Sequence, residues 1–174
     1  MRNYKPIIII SGEPNSIFNE IFLKSIRKKI LSPLILIGSE RLLKSQMKIL
    51  KYRKKIKLLN LNKITEYNLN NNEINLINVN YNFNKPFEKI SNKSGKYLEK
   101  CFNIAFDLIK INYSNKLING PISKKYFLKK KELGITEYIS DKFNVKKQAM
   151  LIFNKNLSVC PITTHLPLKF VSRK

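Results

Sequence analysis

The chain has 174 residues, 34 of them basic and 11 acidic, for a formal net charge of +23. Hydrophobic residues make up 43% and charged residues 26%, a balance that excludes a disordered or fibrous chain and suits one folded domain with a real core. No apolar run approaches the roughly 20 residues of a membrane span. The longest, Pro6–Ile10, is the length of a strand. Met1–Lys5 leads straight into it without the apolar region and small-residue cleavage site of a signal peptide. The two cysteines, Cys101 and Cys160, form no CxxC and no disulfide framework. A cytoplasmic protein is expected.

The charge is mostly lysine. Arginine, which supplies bidentate phosphate and guanine contacts, occurs only at Arg2, Arg27, Arg41, Arg53 and Arg173. The chain is also rich in Ile, Asn, Tyr and Phe, residues that share AT-rich codons with lysine, and it has no Trp. A solvated basic surface is therefore expected, and nucleic acid is not expected as a partner.

In chain order, Tyr4–Ile10 reads as a buried strand ended by Ser11-Gly12-Glu13-Pro14-Asn15. Ile17, Ile21, Ile26 and Ile30 then recur at near-helical spacing, which predicts a helix over 17–30 capped by Asn15 or Ser16. Pro33–Ile37 is a second buried strand ended by Gly38, and Ser39–Ile49 an amphipathic helix. This strand–helix–strand–helix rhythm indicates parallel pairing with crossover helices. Strands are expected at Lys57–Leu61 and Ile74–Val79, within an Asn-rich stretch at about 68–84 that reads as exposed loop. From Ser94 to Ile111, Leu98, Cys101, Phe102, Ala105, Leu108 and Ile109 make one apolar stripe and predict a long helix. Lys116–Asn119 follows as a strand, with a short helix from Ser123. Thr136–Phe143 reads as a helix with Thr136 as N-cap or as a ligand contact, and capping is favoured. Ala149–Phe153 and Leu157–Thr163 are placed to form a hairpin.

Chemistry points to the loops after the strands, since open α/β sheets bind ligands beyond the carboxyl ends of their strands. His165, the single histidine, lies just past an apolar strand where an imidazole can ligate a divalent metal, although one histidine does not make a site. In Asn119-Gly120-Pro121-Ile122-Ser123-Lys124, glycine admits a ligand close to the backbone and Lys124 adds charge toward a phosphate; an ordinary turn with a surface lysine is the alternative. Gly12-Glu13-Pro14-Asn15-Ser16 is too poor in glycine for a Walker loop or a GxGxxG turn.

Taken in order, Ser11-Gly12-Glu13-Pro14 with Glu20-Ile21, then Gly120-Pro121-Ile122-Ser123-Lys124, Gly134-Ile135-Thr136-Glu137 and Thr163-Thr164-His165-Leu166-Pro167-Leu168 resemble the 4-hydroxythreonine-4-phosphate dehydrogenase family of pyridoxal phosphate (vitamin B6) biosynthesis. The last segment is the most specific. The resemblance spans the chain but only about the N-terminal half of a family member. It implies a three-layer α/β/α, isopropylmalate-dehydrogenase-like fold, incomplete at the C-terminus. It also implies a homodimer with active sites in a cleft at the subunit interface.

The implied reaction is an NAD-dependent oxidation of the secondary alcohol of 4-phosphohydroxy-threonine. Decarboxylation to 3-amino-2-oxopropyl phosphate follows. The implied cofactors are NAD and a divalent metal (zinc, magnesium or cobalt) held by three histidines, with His165 the first ligand and Thr136 a substrate contact. Ile135 stands where the family has a substrate-contacting histidine, and the other two metal histidines would fall beyond Lys174. A fragment of a longer dehydrogenase is thus the first expectation. The alternatives are a short, catalytically inactive relative kept for binding or dimerisation and, behind it, a basic nucleic-acid-binding protein.

Overall fold

Four consecutive isoleucines, Ile7–Ile10, form β1 at the centre of a five-stranded sheet. The computed structural model describes residues 4–128, 134–163 and 167–173. They fall in two units divided between residues 130 and 131. The first unit continues with α1 (Phe18–Ser25), β2 (Leu34–Gly38), α2 (Glu40–Ile49), β3 (Ile56–Leu58), β4 (Ile74–Asn78), α3 (Ser94–Lys110) and β5 (Leu117–Asn119). The strand order is β3-β4-β2-β1-β5. Every pairing is parallel, with Ile9 opposite Leu36 and Leu36 opposite Leu76.

Both faces of a parallel sheet are buried, which is why β1 and β2 read as unbroken apolar runs. On one face Ile9, Leu34, Leu36, Ile74 and Leu76 pack with Phe22 and Leu23 of α1 and with Leu43 and Met47 of α2. Strand side chains alternate, so Ile8, Ile10, Ile35 and Ile37 turn to the opposite face, where α3 crosses β1 and β2. There Leu98, Cys101, Phe102 and Ala105 are fully buried. Each such aliphatic or aromatic side chain contributes roughly 1.5–3 kcal/mol by leaving water, which concentrates stability at β1, β2 and α3. The expected three-layer α/β/α architecture is present.

Local chemistry sets the helix boundaries. Ser39 caps α2, its side chain accepting from the Leu42 amide at 3.3 Å. The side-chain carbonyl of Asn78 accepts from the Glu40 amide at 2.9 Å. The first predicted helix is shorter than its isoleucine spacing implies. α1 ends at Ser25, Ser16 Oγ accepts from the amide of its first residue, Phe18, at 3.3 Å as the expected cap would, and the amides of Arg27 and Lys28 bond only to carbonyls three residues back. Its buried stripe is Asn19, Phe22 and Leu23, while Ile17 and Ile21 are 64% and 49% exposed. Ile26 and Ile30 pack against the core from the turn that follows. A stripe drawn through all four isoleucines drifts around the helix, so only its second half meets the sheet.

β4 realises the strand expected at Ile74–Val79, whereas the Asn-rich segments on either side of it are not wholly exposed loop: Val79 and Tyr81 are buried. Asn71 accepts from the Leu34 amide at 2.8 Å and donates to the carbonyls of Ile30 (3.0 Å) and Ser32 (2.9 Å), clamping the entry to β2. Buried Asn75 donates to the carbonyls of Leu34 (2.9 Å) and Asn70 (2.8 Å). These amides satisfy backbone groups at strand starts that the parallel ladder leaves open.

In the second unit α4 spans Ile135–Lys142 with Gly134, not Thr136, at its N-cap. Thr136 is the second residue of the helix and makes no capping bond. The predicted hairpin reduces to one antiparallel bridge, Ile152 with Val159, joined by backbone bonds of 2.8 and 2.9 Å. Two strands without a third or a covering helix are marginal in water.

Gly120 tests the packing at the sheet's centre, because a Cβ built there would stand 2.6 Å from the Ser11 carbonyl oxygen and 2.9 Å from Phe18 Cγ. Gly120→Ala is expected to lower unfolding stability by about 3 kcal/mol, the upper range of overpacking costs, measured by urea denaturation against the parent chain.

Candidate functional site

After β1 the chain winds outward through β2, β3 and β4, and only after α3 does it cross back to lay β5 on the other side of β1. The carboxyl ends of β1 and β5 therefore mark the point where the winding changes direction, which is where open α/β sheets hold their ligands. Two loops meet there. Gly12 has φ +68°, the left-handed region, and a Cβ on it would lie 2.5 Å from the Pro121 carbonyl oxygen. The Glu13 amide donates to that oxygen at 2.7 Å, and the Gly120 amide donates to the Ile10 carbonyl at 2.8 Å.

Beneath these loops runs a buried polar layer. Ser94, the first residue of α3, donates to Glu13 Oε2 at 2.8 Å. Glu13 is only 2% exposed, and its Oε1, like Asn15 Oδ1 and Asn19 Oδ1, has no hydrogen-bond partner among the described residues. Asn19 donates to Gln46 Oε1 at 2.6 Å, and Gln46 donates to the Pro14 carbonyl at 3.1 Å, so α1 and α2 jointly hold the β1 loop. Tyr97 ties α3 to both central strands, its hydroxyl lying 3.0 Å from Ser11 Oγ and accepting from the Ser39 amide at 3.1 Å.

Burial pushes the Glu13 carboxyl up, with the Ser94 bond opposing. Burial, reinforced by Glu13 and then Glu88, pushes the Tyr81 hydroxyl up against a hydrogen bond with Asn15. Burial also raises the Cys101 thiol to about 12, which leaves it an inert core residue.

The sequence-derived site residues fall in separate units or outside the described residues. Lys124 is exposed at the start of the single turn Lys124–Leu128 that follows β5, on the ligand edge of the sheet. Thr136 is half-buried in α4 of the other unit. His165 lies outside the described residues. Glu13, Ser94, Tyr97 and Gln46 carry the polar layer and were given no role by sequence reasoning. Glu13 was visible between Gly12 and Pro14; Tyr97 and Ser94 sit in a helix whose apolar stripe conceals them.

The architecture defines an open, parallel α/β domain with its ligand edge at the β1–β5 switch. A family model described as pyridoxal phosphate biosynthetic protein PdxA matches residues 29–174. The 4-hydroxythreonine-4-phosphate dehydrogenase of Sulfurihydrogenibium sp. (strain YO3AOP1) is 31% identical over 174 residues, covering 95% of this chain and 51% of that protein. The crystal structure of a 4-hydroxythreonine-4-phosphate dehydrogenase from Burkholderia phymatum superposes with a TM-score of 0.83 at 21% identity, over 98% of this chain and 53% of that one. The enzyme of the same name from Klebsiella pneumoniae gives 0.79 at 22% identity, over 95% and 52%. This chain belongs to the PdxA family, whose relatives are named dehydrogenases, and it spans about half the length of the curated relative it matches.

The Glu13 environment has a consequence for stability. A carboxyl whose folded pKa lies above its unfolded value of about 4.5 stabilises the fold fully below that value. The contribution is lost as pH rises through the folded pKa. Glu13→Gln removes the ionisation while keeping an acceptor for Ser94. The variant is expected to be equal to the parent near pH 4 and more stable by about 1 kcal/mol at pH 8, the scale of a relieved buried polar group. Urea midpoints at the two pH values read this directly.

Proposed function

We propose that the protein acts in vitamin B6 biosynthesis as an NAD-dependent dehydrogenase of 4-phosphohydroxy-threonine. The secondary alcohol loses a hydride to NAD and a proton to solvent, and the resulting β-keto acid loses carbon dioxide to give 3-amino-2-oxopropyl phosphate. The observation that carries this reading is the family match, joined to the position of its Gly-Pro-Ile-Ser-Lys segment at the switch point of the sheet.

In this reading Lys124 donates to the substrate phosphate from the loop after β5, and the Thr136 hydroxyl hydrogen-bonds the substrate. His165 is one ligand of a divalent zinc, magnesium or cobalt ion, which would polarise the substrate oxygens when bound. Among the described residues no group of three or more His, Cys, Asp or Glu side chains could hold a metal ion, so these residues alone do not fit one. Ile135, at the first position of α4, cannot donate the hydrogen bond that the family's histidine supplies there. We further propose a cytoplasmic homodimer. Among the described residues no helix is long and apolar enough to cross a membrane. A second copy is supported by the exposed Leu151, Phe153, Leu157 and Ile162 of the second unit.

The test is NADH formation from the phosphorylated substrate and NAD with each metal in turn, beside substrate binding by calorimetry. Turnover is expected where the remaining metal ligands are supplied, and His165→Ala should then abolish it. Lys124→Ala should raise KM about tenfold, the loss of one charge-assisted bond, and leave kcat within about twofold. Substrate binding without turnover would favour the inactive, binding-only relative. No binding and no turnover would overturn the proposal.

A further inference from the structure

At the opposite end of the sheet, before β2 and β3 begin, the surface carries a concentration of unpaired positive charge. An open groove of about 740 Å³ is lined by Lys44, Lys48, Arg53, Lys54 and Lys55 around Tyr52 and Met47. A second cleft of about 480 Å³, lined by Arg27, Lys28 and Lys29, lies along the turn after α1. Arg27 joins the two, its guanidinium carbon 5.2 Å from the centre of the Tyr52 ring.

Only Lys44 and Lys55 are neutralised, by Glu40 at 2.6 Å and Glu73 at 2.7 Å. Arg27, Lys28, Lys29, Lys48, Arg53 and Lys54 have no carboxylate partner among the described residues. Codon bias toward lysine explains a high count of cations but not this placement, because two of the chain's five arginines stand in the track.

We propose that this track binds the phosphate backbone of single-stranded nucleic acid without sequence preference. Six unpaired cations on three chain segments line two clefts, and Tyr52, packed against the core, lies under the Arg27 guanidinium that joins them; such an array of cations holds a flexible polyanion. Most of the cations are lysine point charges, which attract phosphate without the fork geometry that reads base edges. The scarcity of arginine argued against a nucleic-acid partner, and its placement argues for one of this undiscriminating kind. The track lies at the amino ends of the strands, away from the ligand edge, so it stands independently of the dehydrogenase reading.

The experiment is fluorescence anisotropy of a labelled oligouridylate of about twelve nucleotides, a length within the range of single-strand sites, titrated with the 174-residue chain across a salt series. The logarithm of the binding constant should fall linearly with that of salt, with a slope of about −4 for six engaged phosphates. Lys48→Glu/Arg53→Glu/Lys54→Glu, which leaves the Arg27–Tyr52 contact in place, should lose at least about tenfold in affinity. Lys96→Glu/Lys100→Glu/Lys110→Glu on α3 carries the same net charge and should lose less than about threefold. Circular dichroism checks that both variants fold.

Equal losses in the two variants would overturn the proposal in favour of diffuse attraction to a +23 chain. Absence of binding at low salt would overturn it outright. Displacement of the oligonucleotide by anionic phospholipid vesicles, whose own binding the groove variant abolishes, would reassign the surface to a membrane.

Discussion

The architecture depends on backbone meeting backbone where β1 and β5 end. Gly12 and Gly120 bring Ser11, Glu13 and Pro121 so close that neither position has room for a methyl group. The contact is fastened by the bonds Glu13 to Pro121 and Gly120 to Ile10. Parallel strands have no local turn to set their register, so β5 must find β1 across a separation of more than a hundred residues. The two glycines convert that long-range search into a unique fit. They also fix two ligand-edge loops relative to each other before any ligand arrives, which reduces the ordering cost of binding.

Around that contact the protein keeps polar groups where its apolar layers would exclude them. Glu13, Asn15, Asn19, Gln46, Ser94 and Tyr97 come from a loop and three helices, and their bonds to one another hold the β1 loop from below. Buried polar networks are costly when part-satisfied. The free oxygens of Glu13, Asn15 and Asn19 are therefore a standing expense in a fold whose remaining core is largely aliphatic and aromatic. Such a cost is tolerated most often where a site needs acceptors held in fixed positions. That is the physical reason to place the small-molecule site at this edge.

Much of the fold was legible because apolar runs and helical stripes report burial directly. Ile7–Ile10, Leu34–Gly38 and the stripe of α3 appear where hydrophobic pattern placed them. The pattern failed where tertiary contact outweighed it. The isoleucines of 17–30 share a spacing but not a face, and Asn71 looks like loop filler until Ile30, Ser32 and Leu34 are brought within reach of its amide. The candidate site was legible as short motifs. Lys124 follows β5 in the turn that its motif marked, whereas the bond of Glu13 depends on Ser94 from a helix 81 positions away, a pairing no local reading contains.

The two ends of the sheet hold different polar groups, and this bears on how an anionic substrate would arrive. At the carboxyl end the buried groups with free valence are oxygens, and Lys124 and Lys125 are exposed cations in the turn after β5. At the amino end six unpaired cations surround a groove. Over distances longer than about 8–10 Å physiological salt screens such charges. The amino-end track therefore contributes little to capturing a small phosphorylated molecule at the other end. Its field acts on what touches it directly, and a partner long enough to touch six cations at once is a polymer. The charge of the chain is thus unevenly placed, with six of its unpaired cations gathered along the amino-end clefts.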